Sequence, residues 1–96
     1  MTQVNYKGIS YDVPESFGKL KAKVAMDLYE AIAKVGRGEL SNSSYNFKYV
    51  SLVLGIPQVE LENEPFDLFI KVLGDINAIL ASTSNPQPNE VENPAV

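Results

Sequence analysis

The stretch that decides the fold runs from Pro65 to Leu80 and reads PFDLFIKVLGDINAIL. At about 100° per residue, its apolar side chains cover an arc of roughly 200°, whereas a helix packed on one side needs a stripe of roughly 100°. The main face of this helix carries Phe66, Phe69, Ile70, Leu73, Ile76 and Leu80. We expect the helix either to lie at the centre of a small bundle or to present one side to another chain.

The same helix supplies the candidate binding residues. Those expected to matter most, either in the core or against a partner, are Phe66, Phe69, Ile70, Leu73 and Ile76. The apolar neighbours that extend the face sideways are Leu68, Val72 and Ile79. If the main face forms an ordinary core, these three neighbours are the better candidates for an intersubunit surface.

Composition favours one small domain. The chain has 96 residues and a net charge of −4, with no cysteine and no histidine. We expect a domain over residues 1–81 and a flexible, acidic, Pro/Asn-rich tail over residues 82–96. A domain of about 80 residues has a marginal core, and this one lacks a disulfide or a Cys–His metal site to support it. Self-association is the remaining way to bury more surface.

The N-terminal half predicts a hairpin and then a helix. Residues 4–13 alternate apolar and polar side chains on either side of Lys7-Gly8, which is typical of two short strands joined by a two-residue turn. The first helix is expected to begin at Pro14–Ser16 and to end near Val35. A second, softer face of this helix suits a neighbouring helix from the same or another subunit. That face comprises Ala22, Met26, Tyr29 and Ala33.

Residues 41–54 are compatible with two structures. Aromatic residues at 45, 47 and 49 alternate as in a strand, but the apolar spacing from Tyr45 to Val53 also fits a helix. We favour the helix because Ser41, Ser43 and Ser44 offer N-caps and Gly55-Ile56-Pro57 offers a stop. The third helix should follow Asn63 as its N-cap. The predicted fold is α+β, mainly α, with an N-terminal hairpin and about three helices.

Four acidic side chains lie close together in the sequence: Glu60, Glu62, Glu64 and Asp67. One interpretation is a metal site or an acidic surface that imitates nucleic acid. The interpretation that we favour is a solvated loop followed by favourable negative charge at the start of the third helix. The negative net charge argues against nucleic-acid binding, which requires a basic surface.

The sequence indicates neither an enzyme nor a membrane protein. Histidine and cysteine, the commonest acid–base group and the best nucleophile, are missing, and no P-loop, dinucleotide fingerprint or calcium loop is present. We therefore expect no enzymatic activity, no cofactor and no metal. The N-terminus has no signal-peptide pattern, and residues 65–80 are too short and too polar to span a bilayer. We expect a cytoplasmic protein.

The order of these parts resembles that of the small tail assembly chaperones of long-tailed bacteriophages. The resemblance covers most of the chain: the hairpin at residues 4–13, the amphipathic helices, the apolar helix Phe66 to Leu80 and the acidic tail. It implies a helical protein that self-associates in the host cytoplasm. Such a protein coats the apolar tape-measure protein and recruits tail-tube subunits before the tail assembles.

Two other functions fit the same sequence. The chain could be a small acidic inhibitor or regulator of a host protein, for example one that imitates nucleic acid with its four clustered acids. It could also be a minor structural subunit of a virion. Mutation separates the first alternative from the chaperone interpretation, because charged substitutions on the apolar helix should abolish self-association while neutralising the acids should not.

Overall fold

A computed structural model of the chain describes residues 2–80. Two strands come first, β1 (Thr2–Tyr6) and β2 (Ile9–Val13), followed by a 3₁₀ turn at Phe17–Lys19. Four α-helices complete the described part: α1 (Ala22–Gly36), α2 (Asn42–Leu54), α3 (Gln58–Glu62) and α4 (Phe66–Leu80). The predicted α+β, mainly α fold with an N-terminal hairpin is confirmed. The predicted tail, residues 82–96, lies outside the described residues.

The hairpin is antiparallel, and its register follows from the turn. Tyr6 pairs with Ile9, so only Lys7 and Gly8 connect the strands. Both turn residues have positive φ, 54° at Lys7 and 83° at Gly8. A two-residue turn with this backbone matches the right-handed twist of the strands, and glycine adopts it without steric cost. The predicted hairpin and its turn are confirmed.

The first helix begins later than predicted. Residues 17–19 form the 3₁₀ turn, Leu20 is extended with ψ of 154°, and α1 starts only at Ala22. This break allows the buried ring of Phe17 to fold back against Tyr29, with the two ring centroids 5.6 Å apart and nearly perpendicular. Apolar spacing could not reveal the break, because Phe17 and Leu20 also fit a continuous helix.

The helix favoured for residues 41–54 is confirmed as α2. The Ser41 hydroxyl oxygen accepts a hydrogen bond from the Ser44 backbone N–H at 3.1 Å, which caps the helix. At the other end Gly55 has φ of 76°, the left-handed conformation that commonly ends helices. Helix α2 packs against α1, α3, α4 and β2, so α2 rather than the last helix lies at the centre of the domain.

The segment before α4 differs from the prediction. Residues 58–62, interpreted as solvated loop, form the short helix α3. Asn63 is the C-cap of α3, and its side-chain amide donates to the Val59 carbonyl at 2.9 Å. The predicted role of Asn63 as the N-cap of the last helix is therefore wrong, because α4 begins three residues later at Phe66.

Candidate protein-binding surfaces

Helix α4 packs on β1 and α2, and this contact fixes which of its side chains are buried. The buried side chains are Phe69, Val72, Ile76 and Leu80. Val72 was expected at an intersubunit surface, but its side chain is completely buried in the domain. Leu68, Leu73 and Ile79 lie at the margins, partly buried and packed against the core.

Two residues expected on the main face of α4 lie outside the core. Phe66 is 74% exposed and Ile70 is 43% exposed. On the helical wheel they lie about 80° and about 120° from Ile76, which is completely buried. They are one turn apart and therefore share one edge of the helix. We call Phe66 and Ile70 the α4 patch.

A second apolar surface lies on α1, where the sequence predicts a face for a neighbouring helix. All four residues of that face, Ala22, Met26, Tyr29 and Ala33, are exposed in the structure. Met26 is 63% exposed and Tyr29 is 49% exposed. The contact with the buried Phe17 holds the Tyr29 ring in place on the surface. We call these four residues the α1 patch.

The two patches lie in segments of opposite charge. Residues 15–39, which contain the α1 patch and both members of the Arg37–Glu39 ion pair, carry five basic and four acidic side chains, a net charge of +1. Residues 58–75, which contain the α4 patch, carry one basic and five acidic side chains, a net charge of −4. The single lysine of the second segment, Lys71, is paired with Asp75 at 3.0 Å.

A polar cluster ties the hairpin to α3 and to the turn before α4. The Tyr6 hydroxyl lies 3.1 Å from a carboxylate oxygen of Glu60 and 3.0 Å from one of Glu64. The Lys7 ammonium donates to the same Glu64 oxygen at 2.8 Å. The sequence indicates hairpin tyrosines and clustered acids separately, but no local spacing predicts a contact between groups 54 to 58 residues apart.

Three members of this cluster, Tyr6, Lys7 and Glu64, have shifted pKa values. The hydrogen bond from the Lys7 ammonium has the largest effect on Glu64 and lowers the pKa of its carboxyl. The hydrogen bond from the Tyr6 hydroxyl lowers this pKa further. The Glu64 carboxylate in turn raises the pKa of Lys7. Burial, followed by the hydrogen bonds to Glu64 and Glu60, raises the pKa of Tyr6 far above its ordinary value. Tyr6 therefore stays neutral and keeps its hydroxyl hydrogen for one of the two carboxylates, Glu60 or Glu64, beside the hairpin.

The described residues also contain a groove between the end of β2, the start of α1 and the end of α2. Its volume is about 460 Å³, and it is lined in part by Pro14, Leu20, Val24, Leu52 and Val53. These side chains are aliphatic, so the groove offers apolar contact and little chemistry. Asp12 and Lys21 are its charged lining residues.

Residues 2–80 include no helix that is both long enough and apolar enough to cross a membrane. They also include no group of three or more histidine, cysteine, aspartate or glutamate residues arranged to hold a metal ion. Comparison with protein-family models, with curated proteins and with solved structures finds no match to this chain.

Proposed function

We propose that this chain is a non-enzymatic, protein-binding assembly factor that self-associates and covers apolar segments of a client protein. One observation carries the proposal. Helix α4 exposes 74% of Phe66 and 43% of Ile70, while Ile76 and Leu80 on the same helix are completely buried. The domain thus uses α4 to complete its core and still leaves large apolar side chains of that helix in contact with water.

The energy available from these surfaces suits reversible binding. Burial of apolar surface contributes about 25 cal/mol per Å², so a fully buried Phe, Ile or Met side chain contributes about 1.5–3 kcal/mol. Each patch offers two such large apolar side chains, counting Tyr29 with Met26. Association also costs several kcal/mol in lost translational and rotational freedom. Repeated weak contacts along an apolar client fit a factor that must later be released.

The order of parts supports a more specific proposal. A short hairpin followed by amphipathic helices is the arrangement by which the chain resembles a tail assembly chaperone of long-tailed phages. On this proposal the client is an apolar tape-measure protein, the tail-tube subunits are recruited afterwards, and the protein acts in the cytoplasm of the host cell.

The acidic-inhibitor alternative has less support. It requires the clustered acids to face a partner, but Glu60 and Glu64 are hydrogen-bonded to Tyr6, and Glu64 also pairs with Lys7. Glu62 accepts a hydrogen bond from Gln58 at 2.9 Å. Two of the four acids therefore serve to attach the hairpin, which gives them a structural role.

The proposal can be tested by co-expression with an apolar tape-measure fragment that is insoluble alone. Wild-type protein should keep the fragment soluble and should co-purify with it. The variant Phe66→Glu/Ile70→Glu places two charges in the α4 patch and should leave most of the fragment insoluble. A matched control is Asn42→Glu/Ser43→Glu, which adds the same charge at exposed positions in the first turn of α2.

The control should protect the fragment as well as the wild type does, and circular dichroism should show that all three proteins are equally helical. Equal protection by the α4-patch variant would contradict the proposal. Loss of protection in the control variant would mean that added charge, and not the patch, decides the result.

A further inference from the structure

We infer that copies of this chain associate head to tail, with the α1 patch of one copy against the α4 patch of the next. The inference deepens the proposed function, since it rests on self-association and names the two surfaces that meet. Its basis is that the molecule has two exposed apolar patches on different helices, set in segments of opposite charge.

Charge decides between like and unlike pairing. In a symmetric dimer through the α1 patch, two segments of net charge +1 face each other. In a symmetric dimer through the α4 patch, two segments of net charge −4 face each other, or −3 when the Lys7 that pairs with Glu64 is counted. Head-to-tail pairing brings the basic segment of one copy against the acidic segment of the next. Like charges across an interface repel and unlike charges attract, so unlike pairing is favoured.

The charged side chains next to the two patches bear on the preference for unlike pairing. Asp67 follows Phe66 and is exposed. Lys71, next to Ile70, is already paired with Asp75. On α1, Lys23 is paired with Asp27, the exposed Glu30 follows Tyr29, and the exposed Lys34 follows Ala33. When the Lys71–Asp75 and Lys7–Glu64 ion pairs are both counted, the surroundings of the α4 patch stay acidic, because Glu60, Glu62 and Asp67 remain.

The shapes of the two patches also complement each other. The α4 patch is led by one protruding aromatic ring, since Phe66 is 74% exposed. The α1 patch has small residues at both ends, Ala22 and Ala33, and an adaptable thioether at Met26. An aromatic ring packs well on a methionine sulfur and beside another ring, here that of Tyr29. Phe17 fixes this ring before binding, which reduces the entropy lost on association.

Pairing between unlike surfaces has a consequence for assembly. When two copies pair in this way, one patch on each copy stays unused. Further copies can bind there, so the contact generates rings or open chains instead of a closed dimer. The patches are small compared with the roughly 1,600 Å² of a standard stable interface, so a single contact is weak. We expect a distribution of oligomers that grows with protein concentration.

A mixing experiment tests the inference. The variant Met26→Glu/Ala33→Glu blocks the α1 patch and keeps the α4 patch, and Phe66→Glu/Ile70→Glu does the reverse. All four positions are exposed, so folding should be preserved, and circular dichroism checks this. Each variant alone should be a monomer of about 10.5 kDa by light scattering, at concentrations where the wild type forms larger species. An equimolar mixture should form a complex of twice the monomer mass and nothing larger.

The other outcomes overturn the inference in distinguishable ways. If one variant alone still assembles like the wild type, the interface is symmetric and uses only the patch left intact. If both variants are monomers and their mixture is also monomeric, the two patches do not bind each other. In either case an assembling wild type would leave the proposed function standing. A monomeric wild type at every concentration would overturn the proposed function together with the inference.

Discussion

The phenol oxygen of Tyr6 lies 3.0 Å from a carboxylate oxygen of Glu64, which follows it by 58 residues in the chain. The same oxygen lies 3.1 Å from Glu60. A phenol has one hydrogen, so it donates to one carboxylate at a time, and Lys7 supplies a further donor to Glu64. This contact attaches the hairpin to the segment that leads into α4, and so helps to position the α4 patch.

Removing the Tyr6 hydroxyl should weaken this attachment. Tyr6→Phe keeps the buried ring but loses the hydrogen bond to the carboxylates, so the free energy of unfolding should fall by about 1 kcal/mol in urea denaturation. Tyr11→Phe is the matched control in the same hairpin and should change the stability by less than about 0.5 kcal/mol. Equal losses in the two variants would show that the contact contributes nothing specific.

The stability should depend on pH through Glu64. Its folded-state pKa lies below the ordinary value of 4.5, so its stabilising effect is complete above that pH. The effect is lost as the pH falls through the lowered folded-state pKa. Urea unfolding between pH 7 and pH 3 should therefore show a smaller loss of stability for Glu64→Gln than for wild type. Glu62→Gln, which leaves Tyr6 and Lys7 untouched, should retain the wild-type loss, and the same curve for all three proteins would count against the contact.

Shortening one buried and one exposed side chain of α4 should have different effects on stability. Val72 is completely buried, so Val72→Ala should lower the free energy of unfolding by about 2 kcal/mol. Phe66 is 74% exposed, so Phe66→Ala should change it by less than about 0.5 kcal/mol in dilute protein but should weaken self-association. The reverse order of stabilities would mean that Phe66, and not Val72, belongs to the core.

The glycine within α4 offers a test of the packing around that helix. A Cβ added to Gly74 meets no neighbouring atom within 4 Å, and the residue is helical. Among residues 2–80, no other element therefore packs closely against this position. Gly74→Ala should stabilise the monomer by about 0.5–1 kcal/mol, measured as a higher midpoint of thermal unfolding. A lower midpoint would reveal a neighbour at this point of the surface.

Local sequence signals predicted the elements that depend on nearby residues. Lys7-Gly8 specified the turn because two consecutive positive φ angles suit a two-residue hairpin. The ends of α2 were predicted for the same reason, since Ser41, one of the three serines expected as caps, caps the helix and Gly55 ends it in the left-handed conformation. The helical period alone also places Met26 and Tyr29 together on one face of α1.

Features that depend on distant residues were not predicted. Periodicity identified the wide apolar arc of α4. Which part of that arc is buried depends on the positions of β1 and α2, which pack against the helix. The sequence therefore could not tell that Val72 is buried while Phe66 is exposed. The contacts of Tyr6 with Glu60 and Glu64 have the same origin, because they join parts of the chain that only the complete fold brings together.

The measurement that tests the central claim most directly is light scattering behind a sizing column, from about 10 μM to about 500 μM wild-type protein, the range in which weak interfaces associate. If chains share their apolar patches, the mean mass should rise continuously above the monomer mass of 10.5 kDa. The variant Phe66→Glu/Ile70→Glu should stay at the monomer mass over the same range. A wild-type protein that remains monomeric at every concentration would contradict the claim that the exposed apolar surface is shared between chains.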